Sequence, residues 1–210
     1  WTTPASIGFS TPLRPAMARL PGTDDILMVY VDSQYRLQFW RSLDDGTNWD
    51  ECVDAICDPS YRNNGWCPQY VTFAPAIACE STSSCIIWWT DGVNPAPHIR
   101  ERKIWVSIAA APCVGSVSAE PIIPPVSGRG FLSLHGDLTG TYDAANDDWV
   151  LGFRERNGAT SALTWWRDAD ADDFDPYLGS GLVSDGALSS PGIAYTTDAA
   201  SPRVGIFFSL

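Results

Sequence analysis

The sequence contains no apolar run of about 18 residues, so nothing in it is expected to cross a membrane as a helix. Positive charge is scarce. Thirteen Lys and Arg stand against 25 Asp and Glu, a formal net charge of −12. Such a surface repels phosphate backbones, which argues against nucleic acid and for cations or basic protein surfaces as partners. Histidine is limited to His98 and His135, and no two cysteines have CxxC spacing, so a closed zinc site has no ligand set. GxSxG, HExxH and a phosphate-binding loop are all absent, which leaves protease and nucleotide chemistry without an anchor. No segment carries a 3.6-residue amphipathic stripe, so helices are not expected. Methionine occurs only twice and not at the start. A chain beginning at Trp1 is expected to be processed, excised or engineered.

The residues present describe a globular β protein. Hydrophobic residues make up 45% and charged residues 18% of 210, enough for one sizeable core. Ten Trp with many Gly and Pro suit an all-β domain with aromatic-lined surfaces. Six cysteines in an acidic, Lys-poor chain point to an oxidising compartment, hence a secreted, extracellular protein. Cys79 and Cys85 flank a five-residue turn and face each other across a hairpin, so they are expected to pair. Cys52, Cys57, Cys67 and Cys113 then allow three connectivities.

Four similar units begin near positions 14, 74, 135 and 190. Their second residues, Pro15, Pro75, Gly136 and Pro191, are 60, 61 and 55 residues apart. That interval holds four strands of ordinary length with their connections, the size of one propeller blade. In the first unit the strands are expected at 15–19 (A), 26–31 (B), 36–41 (C) and 69–73 (D). The B counterparts are the β-branched and aromatic runs 85–89, 149–153 and 204–208, each bounded by turn residues. One such sheet cannot bury both its faces, so neighbouring units must do it.

Ser42-Leu43-Asp44-Asp45-Gly46-Thr47-Asn48-Trp49 reads S-x-D-x-G-x-x-W. Asp and Ser there would bond local backbone N–H groups, Gly46 would take a positive φ and Trp49 would pack back on its own sheet. This octet resembles the Asp-box (BNR repeat) of the sialidase superfamily, where it forms the C–D turn. Aligning Trp40-Arg41-Ser42 with Trp166-Arg167-Asp168 gives a degenerate copy in the third unit, with Asp170 on Asp44 and Phe174 near Trp49. Leu13-Arg14-Pro15-Ala16 resembles the arginine-bearing first strand of a sialidase blade. The resemblance implies an all-β fold, a β-propeller of four-stranded antiparallel blades or part of a larger one, spanning residues 1–210. Residues 6–10 resemble a D strand of the closing blade, whose A and B strands are the last of the chain. No C strand lies between them. An open sheet edge invites pairing, so the reading favours self-association or a longer parent chain over a compact monomer.

Antiparallel pairing puts the starts of A strands and the ends of B strands on one edge, and the C–D turn on the other. The first edge gathers Arg14 and His135 with Asp32, Asp91 and Glu155, candidates for a mixed-charge ligand-binding rim. Each has a plainer role available. An Asp at a strand end commonly just starts a turn, Arg14 suits solvent or an ion pair with Asp32, and a hydrogen-bonded core His is commoner than a ligand-binding one. The run from Asp168 through Asp170 and Asp172 offers hard oxygen ligands for Ca²⁺, or simply belongs to the degenerate box. Trp88-Trp89 and Trp165-Trp166 each put one ring on each sheet face, for interblade core or for stacking on a sugar. Sialidase chemistry, as the resemblance implies it, needs three Arg around a carboxylate, a Tyr nucleophile activated by Glu and an Asp acid. Only Arg14 maps onto the motif; Arg100, Arg102, Arg154 and Arg156 sit in other contexts, and Tyr195 qualifies by type alone. The leading expectation is a non-catalytic module recognising glycans or a protein surface. A sialidase-type glycosidase and a structural appendage of a larger secreted hydrolase are the alternatives.

Overall fold

A computed structural model describes residues 10–51, 71–81, 83–91, 98–105, 133–134, 137–157, 160–168, 179–185, 192–196 and 203–207. All regular structure among these residues is β-strand, and all of its pairing is antiparallel.

The first sheet has the order β1 (Ala16–Arg19), β2 (Ile26–Val31), β3 (Leu37–Ser42), β4 (Asp50–Glu51). The second runs β5 (Ala76–Cys79), β6 (Ser84–Asp91), β7 (His98–Trp105). In the third, β8 (Ser133–Leu134) and β9 (Thr139–Asp143) both pair with β10 (Asp148–Asn157), followed by β11 (Thr160–Asp168) and β12 (Gly179–Asp185). The fourth is the pair β13 (Gly192–Thr196) and β14 (Arg203–Phe207). First strands lie side by side in chain order: β1 against β5, β5 against β9, β9 against β13.

This stacking explains why the second sheet's central strand is apolar at successive positions instead of alternating. Cys85, Ile87 and Trp89 point into one core with Leu27, Val29 and Phe39 of the first sheet. Ile86 and Trp88 point the other way, into a core with Trp149, Leu151 and Phe153 of the third. A strand buried on both faces has no solvent side to make polar. Each large apolar side chain fully buried here contributes about 1.5–3 kcal/mol. The sheets meet closely. A Cβ on Gly140 would lie 2.3 Å from the Trp88 ring, so only glycine fits at that junction. Cys79 and Cys85 are register partners across the β5–β6 hairpin and are bonded. Cys52, Cys57, Cys67 and Cys113 lie outside the described residues.

Two expectations about strands change. The strand paired with β3 is Asp50–Glu51, directly after the 42–49 turn, and residues 71–73 are not in a strand. A two-residue polar strand has no hydrophobic alternation to betray it. In the third unit, the register makes Thr139, not Asp137, the counterpart of Ala16, because the first strand is interrupted between β8 and β9 and holds extra residues there. The segment 6–10 lies outside the described residues except Ser10, which is not in a strand.

Candidate functional site

The pairing of Ala16 with Val29 puts the start of β1 and the end of β2 on one edge of the first sheet. Asp32 stands there, at the head of the β2–β3 turn. Its Oδ1 accepts the backbone N–H of Gln34 (2.8 Å) and of Arg36 (3.0 Å). Its Oδ2 accepts Arg36 Nε (2.8 Å) and Gln38 Nε2 (3.0 Å). Burial pushes this carboxyl up, but the bonds from Arg36, Gln34 and Gln38 outweigh it and hold the pKa below the usual Asp value. Asp32 therefore pairs with Arg36, and Arg14 reaches elsewhere. The Arg14 guanidinium lies 3.5 Å from the Leu138 carbonyl, across to the third sheet.

The turn that Asp32 organises raises an aromatic side chain that the sequence did not flag. Tyr35 has φ +61° and is 49% exposed. Its N–H donates to the Asp32 carbonyl (2.9 Å) and its carbonyl accepts the Val71 N–H (3.0 Å). A left-handed conformation is costly for a Cβ-bearing residue and is held only where surrounding bonds impose it. Here four bonds to one carboxylate and two to the Tyr35 backbone do so. The result is an exposed tyrosine in the same turn as a charged Arg36–Asp32 pair.

First strands of three sheets meet on this same edge. Asp137 Oδ1 accepts the Ala74 N–H (3.0 Å), and the Leu138 N–H donates to the Ala74 carbonyl (3.1 Å). Register makes Asp137, rather than His135, the third-unit counterpart of Arg14. His135 lies outside the described residues. Asp91 ends β6 opposite His98, and Glu155 in β10 pairs with Ala162 on one side and Leu134 on the other. The backbone thus carries all three acids of the sequence reading in or just beyond second strands, at that edge.

The opposite edge carries the 42–49 turn and is rich in internal bonds. Ser42 Oγ lies 2.9 Å from Asp44 Oδ1 and accepts the Gly46 N–H (2.8 Å). Asp44 accepts the Asn48 N–H (2.8 Å) and Asn48 Nδ2 (2.6 Å). Gly46 has φ +86°, and Trp49 Nε1 donates to its carbonyl (3.0 Å). The described guanidinium groups of this edge are committed to aspartates. Arg19 pairs with Asp24 and Asp45, Arg41 with Asp25, and Arg167 with Asp143 (2.7 Å) and Asp148 (3.1 Å). Asp168 ends β11 opposite Trp149, while Asp170 and Asp172 lie outside the described residues. Among the described residues no group of three His, Cys, Asp or Glu is arranged to hold a metal. Both Trp88 and Trp89 are buried, because their sheet is covered on both faces, so neither ring is free to stack on a ligand.

No protein-family model matches the chain, and no curated protein matches it. Solved structures do. The chain is similar to the six-bladed β-propeller lectin of Aleuria aurantia, a fungal lectin described with a novel fucose recognition mode. Identity is 11% with a TM-score of 0.53, over 93% of this chain and 54% of the lectin chain. A mutant of that lectin with α-methyl-L-fucoside matches at 10% identity and TM-score 0.51, over 88% of this chain and 50% of the other. A Trypanosoma rangeli sialidase, in complex with a difluoro-nononic acid, matches at 11% identity and TM-score 0.57, over 92% of this chain and 33% of the sialidase. The chain thus spans about half the length of the lectin chains and a third of the sialidase. At these identities the likeness is one of fold: this is an all-β, antiparallel chain of the β-propeller kind.

Proposed function

We propose that this chain is a non-catalytic, exported binding module that recognises glycans on the edge carrying Arg14, Asp32, Tyr35 and Arg36. The observation that carries the reading is Tyr35, an exposed tyrosine whose backbone is held at φ +61° in the turn that also carries the Arg36–Asp32 pair. Sugars are bound by an aromatic face against their C–H surface and by planar, charged hydrogen-bonding groups against their hydroxyls. Tyr35 supplies the first, and Arg36 and Asp32 the second. Asp91 and Glu155, which their strands carry to the same edge, extend it into the neighbouring units. Both a lectin and a sialidase share the fold, which adds sugar-directed precedents on this architecture. The net charge of −12 disfavours polyanionic glycans, so neutral sugars are the expected class.

A sialidase-type glycosidase is the rival. Arg19, Arg41 and Arg167 are bound to aspartates on the opposite edge and are not available to a carboxylate on this one. That favours binding without turnover. The 42–49 turn is read as a structural Asp-box, and the 168–172 run as its degenerate copy, with Ca²⁺ there a secondary reading.

A glycan array probed with the purified chain tests the proposal. Binding to neutral glycans, lost in Tyr35→Ala and Arg36→Ala, is the expected result. Release of free sugar from a bound glycan would instead make the chain a glycosidase. An array without binders would favour a protein-surface ligand or a structural appendage.

A further inference from the structure

The acceptor capacity of Asp32 is filled by protein donors. A carboxylate offers about four lone-pair directions on its two oxygens. Oδ1 takes the backbone N–H groups of Gln34 (2.8 Å) and Arg36 (3.0 Å). Oδ2 takes Arg36 Nε (2.8 Å), Arg36 Nη2 (2.7 Å) and Gln38 Nε2 (3.0 Å). The Asp32 side chain is 16% exposed, against 49% for Arg36. Arg36 is the opposite case. Its Nε and one N–H of Nη2 go to Asp32. Among the described residues nothing takes the second N–H of Nη2 or either N–H of Nη1. These donors make one planar fork, held in place by the pairing and open to solvent. The Asp32–Arg36 pair therefore presents donors only, and binds ligand atoms that act as acceptors. Charge decides which acceptors those are. Burial pushes the Asp32 carboxyl up, but its bonds from Arg36, Gln34 and Gln38 hold it below the usual Asp value, so it is ionised at neutral pH. A lone guanidinium favours a carboxylate, through charge-assisted, bidentate bonds. Arg36 is already neutralised by Asp32. A second anion on the fork would sit beside that carboxylate, in the field of a chain with a net charge of −12. Hydroxyl and ring oxygens of a sugar meet no such repulsion.

We propose that Asp32 determines the specificity of this edge without touching the ligand: by orienting and neutralising Arg36, it makes the donor fork select uncharged sugar oxygens over carboxylates. The inference rests on the glycan reading above and assigns its preference for neutral sugars to one side chain. Arg36 makes the contact, and Asp32 is a positioning residue that acts through it. Asparagine at position 32 is the informative change. Its side-chain oxygen can still accept the Gln34 and Arg36 N–H groups and keep the turn. Its amide cannot neutralise the guanidinium, so the fork becomes a cationic one.

Two measurements on the parent chain and Asp32→Asn test this. The first is one array carrying neutral glycans and glycans that end in uronic or sialic acids. The parent should bind neutral glycans only. Asp32→Asn should gain about tenfold or more in affinity for the acidic ones, and that gain should shrink severalfold between about 0.05 and about 0.5 M salt. A merely structural role would weaken all glycans alike. A parent that binds acidic glycans as tightly as neutral ones, or a variant with unchanged preference, would overturn the proposal. The second measurement needs no sugar. Acetate is titrated to roughly 0.1 M while the Arg36 Nε–H resonance is followed by NMR. The parent should show no saturable shift, and Asp32→Asn should show one. Saturation in both chains, or in neither, would overturn the proposal. An array blank for both chains would end the glycan reading, and the acetate result would then decide the role of Asp32 alone. If a far-UV spectrum shows Asp32→Asn unfolded, Asp32→Asn with Tyr35→Gly, which frees the turn of its left-handed tyrosine, repeats the acetate titration.

Discussion

Arg41, buried in β3, is ion-paired to Asp25 just ahead of β2, and the register puts Arg167 and Asp148 in the same relation in the third sheet. Leu27 pairs with Arg41 and Val150 with Arg167, so each acid comes two residues before the register partner of its arginine. The Arg41 side chain is 2% exposed, so its charge depends on that partner. Removing one member of a buried pair leaves the other uncompensated, at about 3–5 kcal/mol. Arg41→Ala should cost about that much in a urea titration. Asp25→Leu with Arg41→Met should recover most of it. A single-variant loss below about 1 kcal/mol would show that water already solvates the pair.

The Gly140 junction gives a steric prediction. Its missing Cβ leaves the space that the Trp88 ring occupies, and Trp88 is itself held edge-on to Trp149 at 6.1 Å. Gly140→Ala should therefore destabilise by about 1–3 kcal/mol through overpacking. Trp88→Phe in the same chain should relieve part of that cost. An unchanged melting temperature in Gly140→Ala would mean that the sheets part easily at this junction.

The aspartates should split with pH. Asp32 is held below the usual range despite its burial, by Arg36, Gln34 and Gln38. Asp44 is lowered by the Asn48 backbone and side chain and by Ser42. A lowered folded-state pKa gives stability that is present above the ordinary Asp value and is lost as pH falls through the folded one. Asp148 is the reverse: burial raises it, Arg167 lowers it, and Asp143 and Asp147 raise it further, for a net rise. Its contribution is complete below the ordinary Asp pKa and declines as pH rises through the folded value. Asp32→Asn should flatten the acid limb of the stability–pH curve. Asp148→Asn should instead remove a loss on the side above the ordinary Asp pKa. Matching curves for the two variants would contradict these assignments.

Much of this architecture was legible in residue patterns. The B strand at 26–31 shows as a β-branched run between turn residues, and the C–D turn shows in Ser42, Asp44 and Gly46, whose side chains or φ do the local work. Other parts had no local signal. Asp50–Glu51 is a strand only because β3 offers it a partner. Leu138, in the interruption between β8 and β9, bonds instead to Ala74, just ahead of β5. Tyr35 escaped notice because left-handed turns are ordinarily announced by Gly, Asn or Asp, and its φ is imposed by Asp32 and Val71. A carboxylate followed four residues later by Arg36 was the one available hint.

Ser42 should matter to stability and not to ligand. Its hydroxyl accepts the Gly46 N–H and lies against Asp44, and it is buried on the edge away from Arg14. Ser42→Ala should cost about 1–2 kcal/mol, the worth of a buried bond whose donor is left unsatisfied. Asp44→Ala should lower stability as well, by loosening the turn that its bonds to the Asn48 N–H and side chain close. Affinity for any glycan found on the array should stay within twofold or so of the parent when both are folded. A loss of binding at unchanged stability would move the ligand to this edge.

Tyr35→Gly separates the two roles a left-handed tyrosine can have. Glycine relieves about 1 kcal/mol of backbone strain at φ +61°. Its larger unfolded-state entropy offsets part of that gain. The residue is half exposed, so little packing is forfeited. The variant should therefore melt within a few degrees of the parent while glycan binding disappears. That combination is what a residue kept for its ligand shows, because its strain serves nothing in the fold. A drop of several kcal/mol would make Tyr35 a structural clamp between Asp32 and Val71. Full stability with full binding would take the glycan away from this edge altogether.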